Sequence, residues 1–170
     1  MPMPRKQVEH TIAPYFNADS RILILGTMPS PKSRELGFYY AHPQNRFWRV
    51  LAEVLTEKTP LTIEEKKLML RKYGIALWDV LKTCEIQGAD DNSIRNPIVN
   101  DISIILSQCP IQAIYTTGKK ATSLYNKYCY PKTGMETIYL PSTSPANCAR
   151  YSYDDLVKAY RIILNHLNSV

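Results

Sequence analysis

Long hydrophobic stretches are missing from this chain. Of 170 residues 45% are apolar, yet no apolar run exceeds a few positions, so no helix is expected to span a membrane. The first ten residues, MPMPRKQVEH, lack the apolar core of a signal peptide. The expectation is therefore a cytoplasmic protein, active at the nucleoid. Cysteine is sparse: Cys84, Cys109, Cys129 and Cys148 stand far apart, no CxxC pair occurs, and His10, His42 and His166 are scattered. Zinc and iron–sulfur sites usually need at least one close ligand pair, so neither a metal nor a cofactor is expected. Without an export signal the thiols are read as reduced and partly buried. The sequence also has no Walker A lysine pattern, no GxGxxG and no GxSxG. Those absences argue against an ordinary nucleotide hydrolase, a dinucleotide fold and a serine hydrolase.

What the chain has is tyrosine and positive charge. There are 12 Tyr against 3 Phe and 2 Trp. A tyrosine offers a flat face and a polar tip, which suits a wet binding surface. Lys and Arg total 21 and Asp and Glu 15, for a net charge of +6. A compact basic domain can bind a polyanion, nucleic acid being the common one. Surplus surface lysine explains the same number, so charge alone does not decide.

Residues 1–20, with little pattern, read as an N-terminal arm, and 21–170 as one domain. Residues 21–25 form a buried strand stopped by Gly26, and 26–43 a long loop of the kind that tends to be functional. From Asn45 a helix begins, with Phe47, Val50, Leu51, Val54 and Leu55 at helical spacing. A second helix runs from Thr62 to about Tyr73, with a Thr62–Glu65 capping box, and Gly74 ends it. Residues 75–78 are a short apolar segment, and 83–97 are polar and loop-like. Residues 98–107 look helical and 111–116 alternate as a strand. Gly118 opens a helix to about Cys129, 136–140 is a strand, 141–149 a Ser/Pro loop, and 153–167 the closing helix. Strands alternating with helices predict a three-layer α/β/α sandwich on a mostly parallel sheet. Ligands bind such sheets at the carboxyl ends of the strands. The loops 26–45 and 141–149 belong at that edge.

The first loop reads GTMPSPKSRELGFYYAHPQNRFW (26–48) and the second LPSTSPAN (140–147). Backbone N–H groups and short hydroxyls at a strand end suit a phosphate. Aromatic residues beside basic ones suit a nucleobase held over a charged backbone. The words GTMPS, YYAHPQNRFWRVL, ALWDVLKTC (76–84) and LPSTSPAN, in this order, resemble the uracil-DNA glycosylase superfamily over almost the whole chain. Within it the hypoxanthine-DNA (deoxyinosine) glycosylases are the nearest likeness, and the mismatch-specific uracil/thymine glycosylases the next.

The resemblance implies a uracil-DNA glycosylase-like fold and a monofunctional, metal-independent glycosylase. Such an enzyme flips a deaminated base out of double-stranded DNA and hydrolyses its N-glycosidic bond; a monomer is expected. Gly26, Thr27, Met28, Pro29 and Ser30 fall on the water-activating motif, which the mismatch enzymes write G-I-N-P-G. Here Met28 stands in the slot of the water-holding Asn, and a thioether cannot orient a water. The catalytic Asn of the hypoxanthine branch lies further along, at the position of Asn45. Tyr40 and His42 join the base pocket in this reading. Ser142, Thr143, Ser144, Pro145 and Asn147, with Lys119 and Lys120, would grip the DNA.

Each residue also has a plainer reading. Asn45 is a good helix N-cap, and one residue can do both. His42 can be an ordinary loop histidine, and Tyr39, Tyr40, Phe47 and Trp48 can simply pack. Ser142 to Ser144 can form a turn, and Lys119 and Lys120 can be exposed surface. Asp79 can act as a base, or only cap or pair. Arg34, Arg46 and Arg49 are expected near the binding edge.

Overall fold

In chain order, the described residues 4–167 of this computed structural model form β1 (Arg5–Glu9), β2 (Ile22–Gly26), α1 (Pro31–Leu36), α2 (Phe47–Leu55) and α3 (Ile63–Tyr73). Then come β3 (Ile75–Asp79), β4 (Leu81–Gln87), β5 (Asp90–Val99), α4 (Ser103–Leu106), β6 (Ala113–Thr117) and α5 (Lys119–Leu124). A π-helical turn (Tyr125–Cys129), α6 (Tyr130–Thr133), β7 (Thr137–Leu140) and α7 (Tyr153–Tyr160) complete the chain, with 3₁₀ turns at Pro145–Asn147 and Arg161–Asn165.

Four strands pair in parallel in the order β3–β2–β6–β7. Every residue of β2, β3 and β6 is buried. Strands covered on both faces need continuous apolar runs, which ILIL, IALW and AIY supply. From β2 the chain crosses to β3 on one side; from β6 it crosses to β7 on the other. The connections therefore diverge between β2 and β6, and a crevice opens outside their carboxyl ends. The α/β class and the flanking helices are as the sequence predicts. α2 packs against α7, with Phe47 edge-on to Tyr160 at 6.5 Å. The capping box forms at Thr62 and Glu65, and Gly74 ends α3 at φ 74°.

A second sheet, β1–β4–β5, is antiparallel. It was not expected. Residues 83–97 are not a loop: they belong to a hairpin closed by Gly88 and Ala89, with Gly88 at φ 59°. The N-terminal arm supplies β1, and Tyr15 bridges Leu77. The two sheets join at Val80, whose N–H bonds the Gly26 carbonyl at 2.8 Å. Buried Asn100 clamps the junction by donating to the Asp79 and Leu81 carbonyls at 2.9 and 3.0 Å.

Other expectations shift in extent. The loop 26–43 contains α1, with Ser30 as its N-cap. The helix expected over 98–107 shrinks to α4, because Ile98 and Val99 end β5. The helix after Gly118 passes into the π turn, and the closing helix tightens to 3₁₀ geometry after Tyr160. The tyrosine surplus also serves the core. Tyr115, Tyr125 and Tyr160 are fully buried, and Tyr160 donates to the Pro141 carbonyl at 2.7 Å. Buried phenols satisfy their O–H on backbone and so tie loops to the core.

Candidate functional site

A pocket of about 320 Å³ opens at the carboxyl ends of β2, β3 and β6. That is the lower end of the size range of small-ligand sites. It gathers Gly26, Thr27, Met28, Pro29 and Ser30 from the first loop, with Tyr40, His42 and Asn45 further along it. Ser142, Thr143, Ser144 and Pro145 form the facing wall. The fold thus brings two words about a hundred residues apart into one cavity.

Asn45 is held by both neighbours. Its Oδ1 accepts the Phe47 N–H at 2.9 Å and the Thr143 hydroxyl at 2.8 Å. A backbone N–H can only donate, so the amide orientation is fixed: oxygen toward the helix and Thr143, NH₂ away from them. Arg46 occupies the formal N-cap position of α2. Asn45 nevertheless satisfies the orphan N–H of Phe47, so it serves the helix end and the pocket together. The second loop is docked by the Arg46 N–H on the Thr143 carbonyl at 3.2 Å and by Arg46 Nη1 on the Tyr151 carbonyl at 2.6 Å.

Tyr40 stacks on Phe47 with centroids 3.9 Å apart, and its hydroxyl lies 3.4 Å from the Thr117 hydroxyl. Its φ is 53°, a left-handed conformation that a tyrosine rarely adopts and that the surrounding packing must enforce. Burial, with Asp79 nearby, pushes the Tyr40 phenol above its ordinary range, so it stays protonated. His42 Nδ1 accepts the Gln44 N–H at 3.1 Å, leaving Nε2 to carry the proton of the neutral ring. The Ser33 hydroxyl accepts the Ala41 N–H at 3.0 Å, tying α1 to the end of the same loop.

Two groups, His10 and Asp91, enter unexpectedly, and Asp79, left open in the sequence as a base or a residue that only caps or pairs, is found paired. Asp79 is 4% exposed and receives the His10 Nε2–H on Oδ2 at 2.8 Å. The arm is thus part of the site, because β1 carries His10 to the end of β3. Gly26 makes room for this pair: a Cβ there would lie 2.4 Å from Asp79 Oδ1 and 3.2 Å from the Tyr40 hydroxyl. Asp91, on the hairpin, sits at the pocket mouth with Thr27 donating to it at 3.5 Å. By area the residue is exposed, but protein atoms crowd its carboxyl. That burial, reinforced by Asp90 and Asp79, lifts its pKa to about 6. An acid closing an apolar strand, as in IALWD, was a usable signal for Asp79. Nothing local in ADDNS marks Asp91.

Three of the proposed DNA-gripping residues do not line the pocket. Asn147 donates its Nδ2 to the Ser142 carbonyl at 2.9 Å and so braces its own loop. Lys119 is exposed and Lys120 half-buried, beside the second loop, since a Cβ on Gly118 would lie 3.5 Å from Ser142 Cβ. Arg46 is 8% exposed and is no surface cation, whereas Arg49 is exposed. Arg34 is half-buried and donates to the Pro29 carbonyl at 2.7 Å. Among the described residues no three His, Cys, Asp or Glu side chains gather as a metal set.

A crevice at the strand ends holds a fixed amide, stacked aromatics and a proline-braced loop beside lysines, an arrangement of an α/β protein that suits a nucleobase held over a charged backbone. The profile of the uracil DNA glycosylase superfamily matches residues 13–168. The chain belongs to that superfamily. It is 36% identical over 134 residues to a hypoxanthine DNA glycosylase of Methanosarcina acetivorans, covering 78% of this chain and 84% of that one. It is 32% identical over 136 residues to a hypoxanthine DNA glycosylase of Methanosarcina barkeri, covering 79% and 85%. The solution NMR structure of a candidate uracil DNA glycosylase from Methanosarcina acetivorans superposes with a TM-score of 0.77 at 29% identity, over 92% of this chain and 98% of that one. The chain is thus a DNA glycosylase of the deaminated-base repair class.

Proposed function

We propose that this chain excises hypoxanthine from double-stranded DNA, with uracil second, and leaves an abasic site. The observation that carries the reading is the fixed amide of Asn45. Met28 fills the slot after β2 where an amide would hold water, while Asn45 lines the same pocket with its oxygen already occupied. Its NH₂ can therefore donate to a water oxygen or to a base carbonyl without reorganising. The flipped base enters the pocket, the C1′–N9 bond breaks, and its electron pair leaves with the base. Positive charge builds on the sugar, stabilised by the DNA phosphates. One positioned water then adds to C1′ and releases a proton. Ser142 to Pro145 would press on the strand beside the flipped nucleotide, and Lys119 and Lys120 would meet phosphates. Both named relatives from Methanosarcina support the choice of hypoxanthine.

The test is a panel of labelled duplexes containing I·T, I·C, U·G, T·G and xanthine pairs, incubated with the protein and then alkali. The reading expects strand cleavage at inosine first. Met28 favours a second reading, a non-catalytic binder of the same fold. That protein would shift the duplexes in a gel and leave every one alkali-stable.

A further inference from the structure

We propose that Asp91, on the hairpin at the pocket mouth, is the base that takes the proton of the water adding to C1′. The inference rests on the glycosylase reading above and names the proton acceptor which that reaction needs. Two carboxylates line the pocket, Asp79 and Asp91, and they stand at opposite depths. Asp79 closes β3 at the buried floor, and its Oδ2 already holds the His10 Nε2–H at 2.8 Å. Asp91 lies near the start of β5, on the exposed tip of the hairpin. A flipped nucleotide enters base first, so the floor meets the base and the mouth meets the sugar. The atom attacked, C1′, belongs to the sugar, which places the reacting water on the side of Asp91.

The other polar groups of the pocket are poor acceptors. Asn45 has its oxygen taken by the Phe47 N–H and the Thr143 hydroxyl, so its NH₂ can hold a water oxygen but cannot receive a proton. His42 Nδ1 accepts the Gln44 N–H at 3.1 Å, so the neutral ring presents an N–H on Nε2 and no free lone pair. Met28 offers only a thioether. Thr27, the residue before it, donates to Asp91 Oδ2 at 3.5 Å, so the hairpin delivers a carboxylate to the loop that lacks one. Among the described residues no ion pair occupies Asp91. Burial of its carboxyl, reinforced by Asp90 on the hairpin and Asp79 on β3 and opposed by Thr27 and by Lys120 on α5, lifts its pKa to about 6. The Cys84 thiol on β4, pushed up by burial, faces it as a neutral group. A base with a pKa just below the working pH is ionised and still holds the proton it takes. A weak base suffices, because a cationic sugar makes the attacking water acidic. The electron pair of the C1′–N bond leaves with the base. A lone pair of the water then forms the C1′–O bond, one O–H bond breaks with its electrons staying on that oxygen, and the proton passes to the Asp91 carboxylate. The open mouth returns it to solvent.

The test is the pH profile of single-turnover excision from an inosine duplex, with the protein saturating so that only the bound complex is read. Between pH 5 and pH 8 the wild-type rate should rise about tenfold and level off, as a group of pKa near 6 loses its proton. Asp91→Asn keeps the side chain's shape and cannot take a proton. Its profile should be flat over the same range and lie about tenfold below the wild type at pH 8. An Asp91→Asn protein that keeps the wild-type rise, or that matches the wild-type rate at pH 8, overturns the proposal, because another group then takes the proton. Thermal melting shows whether the variant folds. Should it not, a flat wild-type profile overturns the proposal on its own. An active wild type with a flat profile defeats this inference alone. A wild type that leaves hypoxanthine, xanthine and uracil duplexes intact at every pH fails the glycosylase reading itself, and the role of Asp91 falls with it.

Discussion

At the floor of the pocket, Gly26, Asp79 and Thr117 end neighbouring parallel strands and are all buried; at its rim, Asp91 and Ala89 sit exposed on the tip of a hairpin. The floor is over-determined. Asp79 is tied to His10, its carbonyl to Asn100, and the N–H of the following Val80 to Gly26. The rim is tied to the first loop by a long Thr27 bond to Asp91, and its remaining bonds are local to the hairpin, with the Gln87 N–H on the Ser93 hydroxyl at 2.8 Å and that hydroxyl on the Asp90 carbonyl at 2.6 Å. Catalytic geometry survives best on rigid elements, and opening motions are drawn from weakly held ones. The floor is therefore where substitutions should destroy function, and the rim where they should tune it.

Gly26→Ala attacks the floor and should have the largest effect. The new Cβ would overlap Asp79 Oδ1 at 2.4 Å, costing about 1–3 kcal/mol of stability as overpacking. Displacing the Asp79 carboxylate and the Tyr40 hydroxyl should lower single-turnover excision by about 10²-fold or more. Urea unfolding and excision kinetics check both. A variant of wild-type stability and rate would show that the floor gives way easily. Thr143→Val is milder. It removes one of the two donors on Asn45 Oδ1 while keeping the side chain's shape. Excision should fall about tenfold as the amide loosens, which single-turnover kinetics on an inosine duplex checks.

At the rim, Asp91 has a pKa near 6 against an ordinary 3.8. Between about pH 4 and pH 6 the folded chain keeps a proton that the unfolded chain has released. Stability therefore falls as pH rises through that window and levels off above it. Asp91→Asn should abolish this slope, matching the wild type at pH 4 and melting about 2 °C higher at pH 7.5. The figure is small because the residue is exposed. Parallel melting curves at both pH values would contradict it. The smallest effect is that of Lys119→Ala with Lys120→Ala. This pair should weaken binding to all duplexes alike and reduce the log–log salt slope by up to about 2, from a wild-type value of roughly −3.

The same division explains what the sequence discloses. The runs at Ile22 and Ile75 are apolar on both faces, so β2 and β3 are legible without any partner. The Thr62–Glu65 box is equally local. β4 and β5 are not: their outer face is polar, Pro97 interrupts the run, and register shifts break the alternation. Gly88-Ala89 was the one turn signal there. His10 meets Asp79 across 69 positions, a contact that no local pattern encodes. The pocket residues Gly26 to Asn45 and Ser142 to Pro145 were readable as motifs, but the role of Asn147 as a brace depends on its bond to Ser142.

The most direct test of the account is single-turnover kinetics of Asn45→Ala on inosine and uracil duplexes, with folding followed by thermal melting. With a fixed amide as the working group, the variant should lose about 10²-fold or more in hypoxanthine excision while DNA affinity changes little. A well-folded Asn45→Ala protein that excises hypoxanthine near the wild-type rate would contradict the account and leave Asn45 as the cap of α2 alone.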